Sequence, residues 1–229
     1  MAVDEATRVE RLREAQSLAR QLFDAIDQTG LVRPGASERQ VSDAIKDLAA
    51  DLLGVERHWH KRVIRAGSNA MFPYHANPPE RLIGDDDIVY ADLGPIFGDW
   101  EADFGRTYVL GDDPDKHRLR ETLPVVFDAG RAHFESSPDI TGEQLFTFMV
   151  AEGQRHGWEW GGTIAGHLVG EFPHDLADGD DDFSRITPGN DRPMRGVDRT
   201  GNICHWILEV HLVDRDREIG GFYEELLDL

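Results

Sequence analysis

The sequence predicts an α+β domain. Four stretches combine apolar residues at three- and four-residue steps with helix-capping signals, and two later pairs of β-rich apolar runs are each joined across turn residues. All 229 residues fit one domain, 1–229, with no composition shift that marks a boundary.

The first helix carries Val9, Leu12, Ala15, Ala19, Leu22 and Ile26 as one stripe that should pack on a sheet. Gly30 and Pro34-Gly35 break it, and Ser37-x-x-Gln40 is a capping box for a second helix with Val41, Ile45, Leu48 and Leu52 on one face. Arg62 to Arg65 reads as a short strand. Pro114 opens a third helix running to about Glu135, in which Pro124 predicts a bend. Thr141-x-x-Gln144 caps a fourth, with Leu145, Phe148 and Met149, that Gly157 ends. Strands return from Ile164, interrupted by a polar stretch from Leu176 to Asn202 that reads as a lid; within it, the run Asp178 to Asp182 reads as a solvated loop.

The strand runs contain acids where a core would place apolar residues. Asp92 closes Ile88-Val89-Tyr90-Ala91-Asp92, Asp103 opens the run to Leu110, and Gly94, Pro95 and Gly98 lie between them. A two-residue turn at Phe97-Gly98 would set Asp92 directly opposite Asp103, and a turn at Asp216-Arg217 would set Glu209 opposite Glu224. Directly opposed carboxylates about 5 Å apart repel by roughly 3 kcal/mol at an effective dielectric of 20, so two such pairs need a counter-charge. With His167 in Gly166-His167-Leu168-Val169-Gly170 they carry about four negative charges, which two divalent cations would cancel; oxygen-rich donors suit Mn, Co, Fe(II) or Zn.

Composition narrows the partners. A net charge of −20 argues against a nucleic-acid backbone or an anionic membrane and leaves small peptides open. Three lysines accompany 21 arginines. A charged start and the lack of an apolar run of about 20 residues predict a cytoplasmic protein. The single cysteine, Cys204, cannot form an internal disulfide and reads as a buried structural thiol.

Five fragments, in order, resemble the pita-bread metallopeptidases, the family of methionine aminopeptidase, aminopeptidase P and prolidase. They are Leu31 to Glu38; Ala91-Asp92-Leu93-Gly94 with Asp103-Phe104-Gly105-Arg106-Thr107; Gly166 to Asp175; Leu208-Glu209-Val210; and Phe222-Tyr223-Glu224-Glu225. The resemblance implies a curved, mainly antiparallel sheet backed by helices, with two divalent metal ions in its concave face. It implies Asp92, Asp103, His167, Glu209 and Glu224 as metal ligands, with Asp103 and Glu224 bridging and Glu225 as the alternative to Glu224. It further implies His75 and His174 as substrate-binding histidines and a peptide as substrate, and it admits a homodimer.

The implied reaction is hydrolysis of an N-terminal peptide bond. Glu209 would accept or shuttle a proton, and His174 or His75 would donate hydrogen bonds to the developing oxyanion. Tyr74-His75-Ala76 lacks the cysteine and glycine usual in methionine-removing relatives, which leans the reading toward Xaa-Pro peptides. A methionine aminopeptidase-like activity, a creatinase-like hydrolase and a non-catalytic binding protein stay open. Leu168, Asp175 and Val210-His211 depart from the family pattern and reshape the pocket, and only five residues follow Glu224. Thr107 reads as orienting a carboxylate, Arg106 as a structural ion pair, and His211 as either site support or packing.

Overall fold

A computed structural model describes residues 3–174 and 182–229. Among the described residues, four α-helices, α1 (Glu5–Thr29), α2 (Glu38–Leu53), α3 (Pro114–Ser136) and α4 (Gly142–Arg155), accompany nine strands. The strands are β1 (Val63–Ala66), β2 (Ile88–Leu93), β3 (Ile96–Phe97), β4 (Trp100–Glu101), β5 (Phe104–Val109), β6 (Glu159–Trp160), β7 (Gly166–Val169), β8 (His205–Asp214) and β9 (Ile219–Leu226). Among the described residues no helix is long and apolar enough to cross a membrane.

The helices begin and end where their caps dictate. The Asp4 side chain accepts from Thr7 N at the start of α1, and Gly30 closes it in the left-handed region. Both capping boxes, Ser37 with Gln40 and Thr141 with Gln144, are formed. Helix α3 runs through Pro124 as one element.

Seven strands form one antiparallel sheet in the order β1-β2-β5-β9-β8-β6, with β7 also paired to β8. Helices α1 and α2 share one core cluster with Val89, Ala91 and Leu93 of β2, while α3 and α4 share another with Leu208, Val210 and Leu212 of β8. Strand alternation then turns Asp92 and Glu209 to the sheet face opposite these apolar residues.

The β2–β5 register differs from the expected one by two residues. The hairpin turns at Gly98-Asp99, with Phe97 opposite Trp100 and Gly98 at φ 65°, the conformation that the first position of a tight hairpin turn requires. Asp92 therefore faces Gly105, and Asp103 lies diagonally from it; because the slip is even, both aspartates keep the same face. The β8–β9 register is as expected, Glu209 opposite Glu224, although the loop spans 215–218.

The polar stretch expected to be a lid lies partly outside the described residues, as do Asp175 and most of the acidic run. From Asp182 onward it is tied to the body. Ile186 and Met194 are fully buried in the α3/α4 core, Ile186 exchanges backbone hydrogen bonds with Ala165 and Gly166, and Asn190 donates to Arg185 O at 2.7 Å. Cys204 is half-buried against the same core.

His205 joins the two ends of the described chain. Its Nε2 lies 2.7 Å from Glu5 Oε1 at the start of α1 and its Nδ1 2.9 Å from Asp228 Oδ2. Burial disfavours the imidazolium, but the two carboxylates outweigh it and hold the group above its ordinary 6.5. A raised histidine contributes stability that is complete below its unfolded value and lost as pH rises through its folded one. His205→Gln should therefore cost about 1–2 kcal/mol at pH 5 and less at high pH, read from urea midpoints across the range. A pH-independent difference would contradict this.

Candidate metal centre

Four strands contribute to one transverse row. Asp92 on β2 faces Gly105 on β5, Gly105 faces Glu224 on β9, and Glu224 faces Glu209 on β8. The glycine is required there: a Cβ at Gly105 would lie 2.6 Å from the Phe222 ring and 3.1 Å from Glu224 Cβ. Its lack of a side chain lets the acids on either side converge. Asp103, two residues before Gly105 on the same face, lies over the row, and β7 brings His167 to it from the far side.

The side chains meet in two overlapping groups of donor atoms. One is Asp103, His167 and Glu224, with His167 Nε2 3.1 Å from Asp103 Oδ2 and 3.8 Å from Glu224 Oε1. The other is Asp92 and Asp103 with His60, a residue the sequence reading did not single out. His60 Nε2 lies 3.1 Å from Asp103 Oδ1 and 3.5 Å from Asp92 Oδ1. Asp103 thus presents one oxygen to each group. Glu209 stands in the row but belongs to neither close group.

Burial makes this collection of charges costly without a counter-ion. Asp92, Asp103 and Glu224 are 6%, 2% and 1% exposed. Burial pushes Asp92 up to about 7 and Glu209 up to about 8, and burial together with the Asp103 carboxylate drives Glu224 well above the carboxylate range. Asp103 moves the other way, because its two imidazole neighbours outweigh its burial. Burial opposes charge on His60 and His167, yet Asp103 holds both above the ordinary histidine value, His60 at about 9. Glu224 Oε2 has no hydrogen-bond partner among the described residues. An orphaned, buried carboxylate oxygen among converging acids is what a cation site looks like, and these residues fit divalent ions.

The two histidines expected to bind substrate are placed differently from each other. His174 lies at the site: its ring stacks 6.3 Å from that of His167, and its Nδ1 donates to the buried carboxylate of Glu101. That bond leaves Nε2 as the nitrogen able to meet a ligand. His75 is exposed on the 72–79 loop beside Tyr74, and no hydrogen bond from its ring to the cluster exists among the described residues. Tyr74 itself reaches the site edge-on, 5.6 Å from the His60 ring. Trp59 sits among three histidines, with ring centroids 4.5, 5.2 and 5.4 Å from His60, His167 and His174.

Neighbouring residues take structural roles. Thr107, expected to orient a carboxylate, instead donates to Phe222 O and accepts from Phe222 N, stitching β5 to β9. Arg106 pairs with Glu225, away from the row, which leaves Glu224 rather than Glu225 in the site. His211 is buried with Nε2 2.8 Å from Ala70 O, and burial lowers it to about 4, so it packs as a neutral ring.

Comparison with known proteins agrees with this geometry. The chain is 28% identical over 149 residues to the Xaa-Pro dipeptidase of Pyrococcus horikoshii, covering 63% of this chain and 40% of that protein. It is 27% identical over 168 residues to the uncharacterized peptidase YqhT of Bacillus subtilis, covering 72% and 45%. It therefore spans less than half the length of these curated relatives. A prolidase structure from Thermococcus sibiricus superposes with a TM-score of 0.73 at 18% identity, over 99% of this chain and 57% of that one. A methionine aminopeptidase from Rickettsia prowazekii gives 0.73 at 16% identity over the whole of both chains. These likenesses show the fold, the pita-bread architecture. The model of metallopeptidase family M24 matches residues 10–203, and the chain belongs to that family.

Proposed function

We propose that this chain is a metal-dependent exopeptidase that hydrolyses an N-terminal peptide bond, with a preference for Xaa-Pro substrates. Asp92, Asp103, His167, Glu209 and Glu224 would hold two divalent ions. The observation that carries this reading is the buried row of acids with an orphaned Glu224 oxygen, flanked by His167. The substrate preference is supported by the Xaa-Pro dipeptidase among the relatives and by the Tyr74-His75-Ala76 sequence. The full-length match to a methionine aminopeptidase keeps Met-Ala peptides in the test set.

Bound divalent cations would supply Lewis acidity, polarising a peptide carbonyl and lowering the pKa of water toward neutrality. The protein's own groups do the rest. Glu209, opposite Glu224, would also accept or shuttle a proton. Glu101 holds the His174 ring through Nδ1, and Nε2 would stabilise charge developing on the carbonyl oxygen. His75, exposed beside Tyr74, would engage only a substrate already bound. Trp59 and Tyr74 supply aromatic walls.

Metal uptake should be linked to pH. In the metal-free fold, Asp92 and Glu209 hold protons up to about 7 and about 8, whereas the unfolded values are 3.8 and 4.5. The stability these acids lend while protonated is complete below the unfolded values and is lost as pH rises from there through the folded ones. Cations replace the protons, so at a fixed Mn²⁺ concentration the rise in Tm should grow from pH 6 to pH 8, and a site in hundredfold excess over its Kd should gain about 2.7 kcal/mol of stability. Scanning calorimetry at several pH values checks it. A metal-induced shift that is constant or larger at low pH would contradict it.

Activity is tested with Met-Ala, Xaa-Pro and Xaa-Pro-Yaa peptides and each of Mn²⁺, Co²⁺, Fe²⁺ and Zn²⁺. Cleavage of the proline peptides is expected, falling by more than about a hundredfold in Asp103→Asn. Two bound ions with no peptide cleaved would favour a binding protein, and turnover unaffected by Asp103→Asn would overturn the reading.

A further inference from the structure

We propose that His60 is a sixth protein donor to the metal centre, binding the ion on the Asp92 side so that each ion carries one imidazole. This rests on the reading of the row as a cation site. The two halves would then match: His60 with Asp92 and Asp103 Oδ1, and His167 with Asp103 Oδ2 and Glu224.

The two histidines are held in the same way. His60 Nδ1 lies 2.7 Å from the carbonyl of the next residue, Lys61, and His167 Nδ1 lies 2.8 Å from the carbonyl of its own next residue, Leu168. A carbonyl can only accept, so Nδ1 carries the hydrogen on both rings, and Nε2 is turned to the carboxylates. That arrangement, one ring nitrogen donating to backbone and the other facing acids, is how metal-bound imidazoles are oriented. The spacing also fits. Donors about 2.1 Å from one ion lie roughly 3.0–3.4 Å apart, and His60 Nε2 stands 3.1 and 3.5 Å from the aspartate oxygens.

The local sequence builds this position. The His60 side chain is 6% exposed. Trp59 N donates to Gly94 O at 2.9 Å and Trp59 Nε1 to Ala102 O at 3.1 Å, pinning the 58–60 segment on both sides of the β3–β4 hairpin. Gly94 leaves the space the ring fills, since a Cβ there would lie 2.4 Å from His60 Nε2. A second nitrogen donor makes the pair of sites chemically similar and shifts both toward Zn²⁺, Co²⁺ or Fe²⁺ relative to an all-oxygen site.

X-ray absorption on the Co²⁺- or Zn²⁺-loaded wild-type chain counts imidazoles directly, and metal analysis with titration follows His60→Ala, His60→Gln and His167→Ala. We expect two ions and two imidazoles per wild-type chain. His60→Ala should lose one imidazole and weaken one ion by at least about tenfold, with the other retained. A wild-type chain holding two ions but one imidazole, or a His60→Ala variant with wild-type affinities for both, would overturn the assignment of His60 alone. A wild-type chain that takes up no ion would instead overturn the metal-centre reading itself. The wild-type spectrum decides the matter even if a variant fails to fold.

Discussion

Everything in this structure depends on holding like charges together out of water. Asp92, Asp103 and Glu224 are nearly inaccessible, and Glu209 stands opposite Glu224. At ~5 Å such pairs repel by roughly 3 kcal/mol even at a dielectric of 20, and burial adds the loss of hydration. Protons relieve the strain when no ion is bound, which is why burial raises Asp92, Glu209 and Glu224. Cations relieve it better, because each cancels two charges and satisfies several oxygens at once.

The sheet makes the arrangement rigid. Asp92, Glu209 and Glu224 sit on paired strands and Asp103 directly precedes β5, so their positions follow from register rather than from flexible side-chain choices. Two glycines let the elements close in: Gly105 keeps the middle of the row empty between Asp92 and Glu224, and Gly94 admits the His60 ring. The α1/α2 and α3/α4 clusters pack on Val89, Ala91 and Leu93 of β2 and on Leu208, Val210 and Leu212 of β8, the side of the sheet opposite the acids. A site carried on paired strands can hold donor atoms to the tolerance that metal binding demands.

Much of this was legible in the sequence, for identifiable reasons. Capping boxes at Ser37 and Thr141 located two helices because a cap is a local signal that packing rarely overrides. The Glu209–Glu224 pairing was legible because alternation fixed the register of two long strands. The aspartate pair lies two residues off the expected Phe97-Gly98 register, because Gly98 takes a positive φ as the first residue of a Gly98-Asp99 turn. Parity preserved the face, so the site survived the error. His60 was invisible because it lies outside any strand, 32 residues before Asp92, and reaches the acids only through tertiary contacts of Trp59 and Gly94. Its signal was Trp59-His60-Lys61, a lone motif with no spacing to give it meaning. The 182–202 stretch hid its buried Ile186 and Met194 because isolated apolar residues in polar surroundings show no period.

The central claim is that the row formed by β2, β5, β9 and β8 binds two cations. Anomalous diffraction from crystals grown with Mn²⁺ tests it most directly. Two peaks roughly 3.5–4 Å apart over Gly105, with Asp103 between them, are expected. Peaks elsewhere on the surface, or none within reach of Asp103 and Glu224, would contradict it.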